Sequence, residues 1–502
     1  MKLFYGWCVL AAVLCQDALG EPRPDFGVNV AVVGSAQVKT VATDTGTTFD
    51  KIDGKTITLT SQYTVLTTLK VALTKIGNDI ALTGMQLTAR LETLAPSVDT
   101  MPQVYDDVTG AITALRTLLE TGLAAQKTAI EQAVGLYITD MLNDAADELL
   151  GTLGRLTAQL TLIQEGVNDA VAAYGSELTD TLIRRYVSPR AIYELLRALH
   201  DLKADLPLVT YIIELTLGHL STADVFVTEF MAGVTDKVVA TLMHYDTLRK
   251  EIDDSRNVIP EAIMAPVRTS YTDQTDEIVY IKDSLMAMES YEGSLKPVLD
   301  AYDALVGDTN LQLLVDKVAG IYTTYLQNVV TLDDYLDRFY DAKLCAPVKA
   351  VLQVLIASGP WADYCFSKYS PRLFGLVSVN SNRFLMCYQI EAERLSHLAE
   401  LVDRLTVQIV YDIDDLSMHL IACFNLLENG SNCIEGIGPY YKDLIANLKL
   451  KIDDLLQLLT VQTNASYRRA AACVASGKCD FVAAAETIVK DVKLCEQKGP
   501  KA

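Results

Sequence analysis

The cysteines of this chain are confined to its two ends, and their distribution restricts how the chain can fold. Two of the ten cysteines lie within the first fifteen residues, and the other eight lie beyond residue 344. The intervening residues 21–344 contain none, so packing of apolar side chains alone must stabilise that long segment. Half of the chain is hydrophobic, which is sufficient for one or two domains of ordinary size. The C-terminal cysteines are Cys345, Cys365, Cys387, Cys423, Cys433, Cys473, Cys479 and Cys495.

The first twenty residues have the pattern of a secretory signal peptide. Lys2 precedes the apolar run Leu3–Leu14, and the small-x-small sequence Ala18-Leu19-Gly20 follows. We expect cleavage after residue 20, which removes Cys8 and Cys15, and a mature protein that is secreted; retention as a signal anchor is the alternative. No later stretch reaches the roughly 18 uncharged residues of a spanning helix, so no membrane span is predicted. Eight cysteines in an oxidising extracellular compartment predict up to four disulfides.

The charge of the chain excludes two classes of partner. The formal net charge is −22, from 64 acidic and 42 basic residues. A protein this acidic repels nucleic acid and anionic membrane surfaces, so we expect neither as a partner. The densest basic groups are the pairs Arg184-Arg185 and Arg468-Arg469. The acidity most simply provides solubility, and binding of cations is the weaker alternative.

Hydrophobic periodicity predicts an all-α protein made of elongated antiparallel helical bundles. The stretch Leu59–Leu94 carries a heptad pattern, which predicts a bundle helix or a short coiled coil. Glycines scattered from Val104 to Val187 predict breaks or close helix crossings there. Prolines divide the following stretch into predicted helices of ordinary length. The heptad positions are Leu66, Leu73, Ile80, Leu87 and Leu94, with Leu69 and Ile76 beside them, and the dividing prolines are Pro189, Pro207, Pro260, Pro266 and Pro297.

Composition divides the chain into four segments. Residues 1–20 are the signal peptide, 21–58 a leader rich in Thr and Val, 59–340 a cysteine-free helical region, and 341–496 a disulfide-rich helical domain. Thr56–Thr60 alternates with a period of two. The leader is therefore predicted either to hold a strand or two or to be extended.

The cysteine block contains a predicted helical hairpin. Two amphipathic stretches, Arg383–Leu427 and Tyr440–Ala475, are separated by the turn-forming sequence Glu428–Asn432. In such a hairpin, opposed residues have numbers with a constant sum, and Cys387–Cys473 and Cys423–Cys433 both centre near residue 429. If the remaining four cysteines pair in nested order outside these two, the outer pairs are Cys365–Cys479 and Cys345–Cys495. The competing local pair is Cys473–Cys479.

Two N-glycosylation sequons lie in this block. Asn429-Gly430-Ser431 falls in the predicted turn, where we expect it to be accessible and used. Asn464-Ala465-Ser466 falls within a helix, where use and disuse of the sequon are equally compatible with the sequence.

No motif in the chain specifies catalysis, a cofactor or a metal. Asp412-Ile413-Asp414-Asp415 lacks the glycine of a calcium loop, because Ser417 stands there, and we interpret it as a solvated helix face. His419 and Cys423 are spaced as a metal pair, but in an oxidising compartment Cys423 is predicted to be a half-cystine. We therefore predict no catalytic, cofactor-binding or metal-binding residues. The aromatic residues of the cysteine block fit core packing better than the alternative of an apolar ligand cleft.

The spacing of these cysteines resembles that of the TsetseEP domain of secreted insect proteins. The resemblance covers roughly Cys345 to Cys495. The chain lacks the Glu-Pro repeat that gave the family its name. The resemblance implies a secreted insect helical protein, often of gut or other epithelial secretions, and it transfers no catalytic residue. The residues that carry it are Cys365-Phe366-Ser367-Lys368-Tyr369, Cys387, Cys423, Cys433, Cys473 and Cys495.

These observations predict a secreted, non-enzymatic helical protein of epithelial or gut secretions that acts in extracellular interactions or structure. Its expected partner is itself or another secreted helical protein, bound through the seam Leu66–Leu94. The alternative is a carrier of a lipid or another apolar small molecule, suggested by the aromatic content and a mean hydropathy of +0.21. A hydrolase is the third hypothesis, and it would require polar side chains that converge in a cleft.

Overall fold

The computed structural model describes residues 24–97, 103–332 and 336–501. In the last range, side chains are described from residue 338 onward. Within these ranges the chain is helical and contains no strand; one isolated bridge pairs Asp25 with Val28. The all-α prediction is confirmed. The predicted signal peptide, residues 1–20, lies outside the described residues.

The described α-helices vary widely in length, from a seven-residue helix to one of 98 residues. Two π-helical turns, Leu118–Gly122 and Tyr291–Leu295, interrupt the series. In chain order the helices are α1 (Ser35–Asp50), α2 (Thr64–Leu94), α3 (Gln103–Thr117), α4 (Ala124–Val134), α5 (Tyr137–Tyr174), α6 (Asp180–Tyr186), α7 (Pro189–Met286), α8 (Lys296–Val306), α9 (Asp308–Val330), α10 (Leu336–Ile356), α11 (Ala362–Val410), α12 (Leu416–Phe424) and α13 (Gly430–Lys498).

The chain forms two compact units, each assembled from segments that are distant in sequence. Unit 1 contains the described residues of Met1–Met231, Lys349–Ser370 and Lys490–Ala502, and unit 2 those of Ala232–Val348 and Pro371–Val489. Helices α7, α10, α11 and α13 contribute residues to both units. The units therefore do not follow the predicted division at residue 341, because the start of the cysteine block does not decide which helices pack together.

The heptad helix of the sequence is α2, and its seam lies inside unit 1. All seven seam residues are at most 2% exposed, and α2 packs against α1, α3 and α4. Of the two predicted forms, a bundle helix and a short coiled coil, α2 therefore adopts the first. This surface is already covered within the chain, so the seam is not exposed to a second copy in this structure.

The predicted leader contains a helix, so the prediction of strands or an extended segment is wrong for residues 35–50. In α1 the side chains of Val38, Ala42, Thr45 and Phe49 recur at helical spacing and are fully buried. Burial of this stripe against α2 outweighs the weak preference of Val and Thr for strands. Phe49 packs so closely on Gly84 that a Cβ there would lie 2.1 Å from the ring.

The alternating segment Thr56–Thr60 is not paired in a sheet. Its C-terminal end is instead hydrogen-bonded to a single carboxylate. Buried Asp224 of α7 accepts hydrogen bonds of 2.8 Å from the Thr60 N–H, the Thr60 hydroxyl and the Ser61 N–H. Burial alone would raise the pKa of Asp224, but hydrogen bonds from the side chains and backbone of Ser61 and Thr60 lower it to about 2. This ionised carboxylate supplies the acceptor that a neighbouring strand would otherwise provide.

Helix α7 runs without interruption through three of the prolines that were expected to end helices. Pro207, Pro260 and Pro266 all lie inside Pro189–Met286. A proline removes one backbone hydrogen bond and costs about 3 kcal/mol. Buried side chains continue on both sides of these prolines, so packing offsets that cost. The buried neighbours include Leu206, Val209, Ile259, Ile263 and Val267.

Some of the helix breaks predicted at glycines occur in the structure, and others do not. Helix α4 ends at Gly135, which has a φ of +89° that disfavours other residues. Helix α5, in contrast, continues through Gly151 and Gly154.

The stretch predicted as one helix from Arg383 is also divided, because Asp412–Asp415 forms the turn between α11 and α12. The interpretation of these aspartates as a helix face is therefore wrong.

Three disulfides form among the described cysteines, two of them as predicted. Cys387–Cys473 joins α11 to α13 in unit 2, and Cys423–Cys433 closes the connection from α12 to α13. Both inner pairs of the hairpin are confirmed, which also excludes Cys473–Cys479.

The outer pairs of the predicted ladder are wrong. Cys365 bonds to Cys495 in unit 1, while Cys345 and Cys479 are free and exposed. The numbers of Cys365 and Cys495 have the same sum as those of Cys387 and Cys473. The constant-sum rule of a hairpin thus selects the observed pair, whereas strict nesting of the remaining cysteines departed from that rule.

Candidate functional site

Two cavities in unit 2 lie on either side of a shared wall formed by Tyr325 and Thr463. The first has a volume of about 390 Å³ and lies between α11 and α13. The second, about 540 Å³, lies between α9 and α13. We call them the paired cavities. The first is also lined by Arg394, Leu395, His397, Leu398, Leu401, Gln462, Ser466 and Arg469, and the second by Lys317, Gly320, Ile321, Thr324, Leu456, Thr460 and Asn464.

The walls of the paired cavities reverse the charge of the chain as a whole. Arg394 and Arg469 line the first cavity and Lys317 the second, and no carboxylate is among the described lining residues of either. Another cavity of unit 2, about 790 Å³, shows the opposite character. Its lining includes Asp273, Glu277, Asp414 and Asp415. In a protein with 64 acidic and 42 basic residues, a cavity wall with only cationic charges favours anions.

A buried carboxylate beneath the first cavity holds both arginines. Glu391 is 2% exposed. Arg469 donates to it twice, from Nε to Oε1 at 3.0 Å and from Nη2 to Oε2 at 2.8 Å. Arg394 donates a further hydrogen bond to Oε1. This arrangement fixes two guanidinium groups around one carboxylate.

A chain of hydroxyl groups completes the environment of Glu391. Ser466 Oγ donates to Oε2 at 2.6 Å, so the Tyr325 hydroxyl must donate to Ser466, from which it lies 2.6 Å away. Burial alone would raise the pKa of Glu391, but hydrogen bonds from Arg469, Ser466 and Arg394 lower it. Burial raises the pKa of Tyr325 to about 12, so it remains a neutral donor. The cluster therefore contains two guanidinium charges and one carboxylate, a surplus of one positive charge.

Helical spacing and one disulfide bring these side chains together. Glu391 and Arg394 are three residues apart on α11, and Ser466 and Arg469 are three residues apart on α13, so each pair shares a face. Glu391 lies one turn after Cys387, and Arg469 lies one turn before Cys473. The Cys387–Cys473 disulfide thus fixes the two helices one turn from the Glu391–Arg469 pair.

Unit 1 contains a serine, a histidine and an aspartate in an order that resembles a hydrolytic triad. Ser358 Oγ lies 2.9 Å from His219 Nδ1, and His219 Nε2 lies 3.3 Å from an oxygen of Asp363. Ser358 also has a positive φ of 55° in the turn between α10 and α11. These are the converging polar residues that the hydrolase hypothesis required.

The position of Ser358 does not suit nucleophilic attack. Its residue exposure is only 3%, so a substrate has little access to its hydroxyl. A cavity of about 320 Å³ is lined by its neighbours Ala357, Gly359 and Trp361. A nucleophile must face its substrate, so this geometry fits a polar contact that attaches the turn to α7 better than it fits catalysis.

The structure places the predicted site residues in different surroundings. Asn429 is exposed in a short 3₁₀ helix, and Asn464 is exposed at the second cavity. His419 contacts the Tyr441 hydroxyl at 2.5 Å, while Cys423 is in a disulfide, so the half-cystine interpretation is confirmed. The described residues contain no group of three or more side chains positioned to hold a metal ion.

Core packing is confirmed for some aromatic residues of the cysteine block, such as Tyr369, Phe384 and Tyr388, whereas Tyr364, Tyr411 and Tyr440 are exposed. Phe384 packs near Phe339 and Tyr340, and the buried Tyr388 contacts Tyr245 edge to face. Glu391 and both of its arginines were not among the residues predicted to form a site. No motif marks them: the basic pair Arg468-Arg469 and the helical spacing of Glu391 and Arg394 are not specific.

Comparisons with known proteins do not assign this chain to a class. Neither a scan against protein-family models nor searches of curated proteins and of solved structures found a match. Among the described residues, no helix combines the length and the apolar character that crossing a membrane requires.

Proposed function

We propose that this protein is a secreted, non-catalytic carrier that binds an apolar small molecule in the paired cavities. The observation that carries the proposal is the wall of these cavities, where five leucine and isoleucine side chains lie among polar and charged side chains, two of them arginines fixed by hydrogen bonds. Such a wall suits a lipid-like molecule with an apolar part and a polar part, and both volumes fall within the range of about 300–1,000 Å³ found for ligand pockets.

Preorganisation of the site supports this function. The Cys387–Cys473 disulfide and the Glu391–Arg469 pair both join α11 to α13 beside the first cavity. A site that is fixed before binding loses less conformational freedom when the ligand enters. The predicted signal peptide and the resemblance to the TsetseEP domain support secretion into a gut or other epithelial lumen.

The alternative of an interaction or structural protein has less support. Its proposed contact surface was the seam Leu66–Leu94, which is buried within unit 1. The carrier proposal, by comparison, is supported by the two cavities of unit 2. A protein partner bound at another surface would leave the paired cavities empty, and the following experiment separates the two functions.

The test is extraction of the full mature protein, secreted from eukaryotic cells, with organic solvent and mass spectrometry of the extract. Binding of a solvatochromic apolar dye is then measured in two cavity-filling variants, Gly320→Trp and Leu401→Trp. The control is Gly375→Trp, because Gly320 and Gly375 both have open space around an added Cβ but only Gly320 lines a cavity. We expect a copurified apolar molecule, or dye binding that at least one filling variant abolishes and the control retains. An empty extract together with dye binding that neither filling variant reduces would overturn the proposal.

A further inference from the structure

The arginines of the first cavity have hydrogen-bonding capacity that the protein itself does not use. Two guanidinium groups offer ten N–H donors, and three of these bond to Glu391. In the described part of the chain neither arginine has another partner. The side chains of Arg394 and Arg469 are 50% and 40% exposed, so their remaining donors are accessible from the cavity.

The charge balance indicates what those donors can accept. Glu391 neutralises one of the two guanidinium charges, which leaves one positive charge beside a wall without carboxylates. A monoanion would complete the neutralisation, whereas a dianion would leave an excess negative charge in a protein that already carries −22. A guanidinium fork can bind either a carboxylate or a phosphate through two hydrogen bonds, so the charge balance, and not the shape of the anion, favours a carboxylate here.

Three leucines beside the arginines provide an apolar surface within the first cavity. Leu395, Leu398 and Leu401 follow Arg394 along α11 and line the same cavity. At 1.5 Å per residue, the distance along the helix from Arg394 to Leu401 is about 10 Å. A ligand with its charged end at the arginines would therefore place an aliphatic chain along these leucines, and a longer chain would continue past Tyr325 towards the second cavity.

From this juxtaposition of donors, charge and leucines, we infer that the carried molecule is an aliphatic monocarboxylic acid whose carboxylate binds Arg394 and Arg469. This inference depends on the carrier function proposed above and specifies its ligand class. Glu391 acts as a positioning residue, because it holds both guanidinium groups without lining the cavity. Lys317 lies on the second cavity, away from this pair, and we assign it no role in binding the carboxylate.

The test compares ligands that share one aliphatic chain and differ only in the polar end. Binding of a long-chain carboxylic acid, the corresponding alcohol, the methyl ester and the alkyl phosphate is measured by calorimetry with the full mature protein. We expect the acid to bind at least about tenfold more tightly than the alcohol or the ester, as for a charge-assisted pair. The difference between acid and alcohol should fall to less than about threefold in Arg469→Gln.

Matched variants separate the ligand contact from a general loss of charge. Arg468→Gln removes the same charge from the neighbouring exposed position and should keep the preference for the acid. Arg394→Gln removes the other arginine and serves as the test if Arg469→Gln does not fold. Circular dichroism establishes folding of each variant. A preference that survives in both Arg394→Gln and Arg469→Gln would overturn the inference.

The outcomes for the carrier function and for the ligand class are distinct. Equal binding of acid, alcohol and ester would support the carrier and refute the carboxylate. Tighter binding of the alkyl phosphate than of the acid would also refute it. Failure of all four ligands to bind, with an empty extract, would overturn both proposals.

Discussion

Replacing Glu391 by glutamine should lower the free energy of unfolding of unit 2 by about 2–4 kcal/mol. Glu391 accepts three hydrogen bonds from guanidinium groups and one from Ser466. Hydrogen bonds to charged groups contribute about 1.5–3 kcal/mol each, and an amide directs its N–H groups at some of these donors. The full sum is not lost, because both arginines are partly exposed and regain hydration, and because the variant no longer buries a charge.

The pH dependence of this effect has a defined sign. The pKa of Glu391 is lower in the folded protein than its ordinary value. Its contribution to stability is therefore complete above the pKa of the unfolded state, about 4.3, and decreases as the pH falls through the folded value. The difference in stability between the wild type and Glu391→Gln should accordingly be largest near neutral pH and should shrink at strongly acidic pH.

Urea unfolding followed by far-UV circular dichroism measures both effects. If the two units unfold in separate transitions, only the transition of the unit that contains Glu391 should shift. Glu393→Gln is the matched control, because it makes the same chemical change at an exposed position two residues away. Equal stability of the two variants near neutral pH would refute the assigned role of Glu391. A difference between them that does not change with pH would refute the role of its ionisation.

Three further measurements test other parts of the structure. Cys345 and Cys479 should react with an alkylating reagent without prior reduction; a disulfide between them in peptide maps would contradict their assignment as free. Gly84→Ala should lower the free energy of unfolding by roughly 1–3 kcal/mol, since its Cβ would lie 2.1 Å from a buried phenylalanine ring. The control Gly151→Ala, at a helix position with open space, should raise the free energy of unfolding by up to about 1 kcal/mol. Equal effects of the two substitutions in urea unfolding would count against the close contact of Phe49 with Gly84. Asn429→Gln should remove one glycan from protein secreted by eukaryotic cells, and unchanged gel mobility would show that the exposed sequon is unused.

Features determined by short-range periodicity could be predicted from the sequence. The heptad residues of α2 recur every seven positions, and a helix with such a stripe must cover it, so both the helix and its buried seam followed from the pattern. What covers the stripe is decided by chain segments elsewhere. The pattern was therefore compatible both with a partner molecule and with α1, α3 and α4, and the structure places α1, α3 and α4 there.

Predictions that relied on single residue types failed where packing exceeded local preference. Proline at positions 207, 260 and 266 was expected to end helices, yet α7 continues through all three. The threonines and valines of Ser35–Asp50 were expected to favour strands, yet they form α1. Propensities amount to at most about 1 kcal/mol for ordinary residues and about 3 kcal/mol for proline in a helix. Full burial of one Val or Phe side chain contributes about 1.5–3 kcal/mol, so several buried side chains outweigh even a proline.

The candidate site was accessible to sequence reasoning through the disulfide register, although no motif marked it. Once Cys387 is opposed to Cys473 on antiparallel helices, equal steps of four, seven and eleven residues towards the turn bring further residues face to face on the same stripe. The opposed pairs given by these steps are Glu391–Arg469, Arg394–Ser466 and Leu398–Gln462.

All six of these residues belong to the Glu391 cluster or line the first cavity. Tyr325 comes from α9, whose position beside this hairpin depends on long-range packing, and no register predicts it. The same disulfide that allows the prediction also maintains the geometry that it predicts. A redox-dependent loss of ligand binding, with helix content retained, would be the expected consequence for any ligand held between α11 and α13.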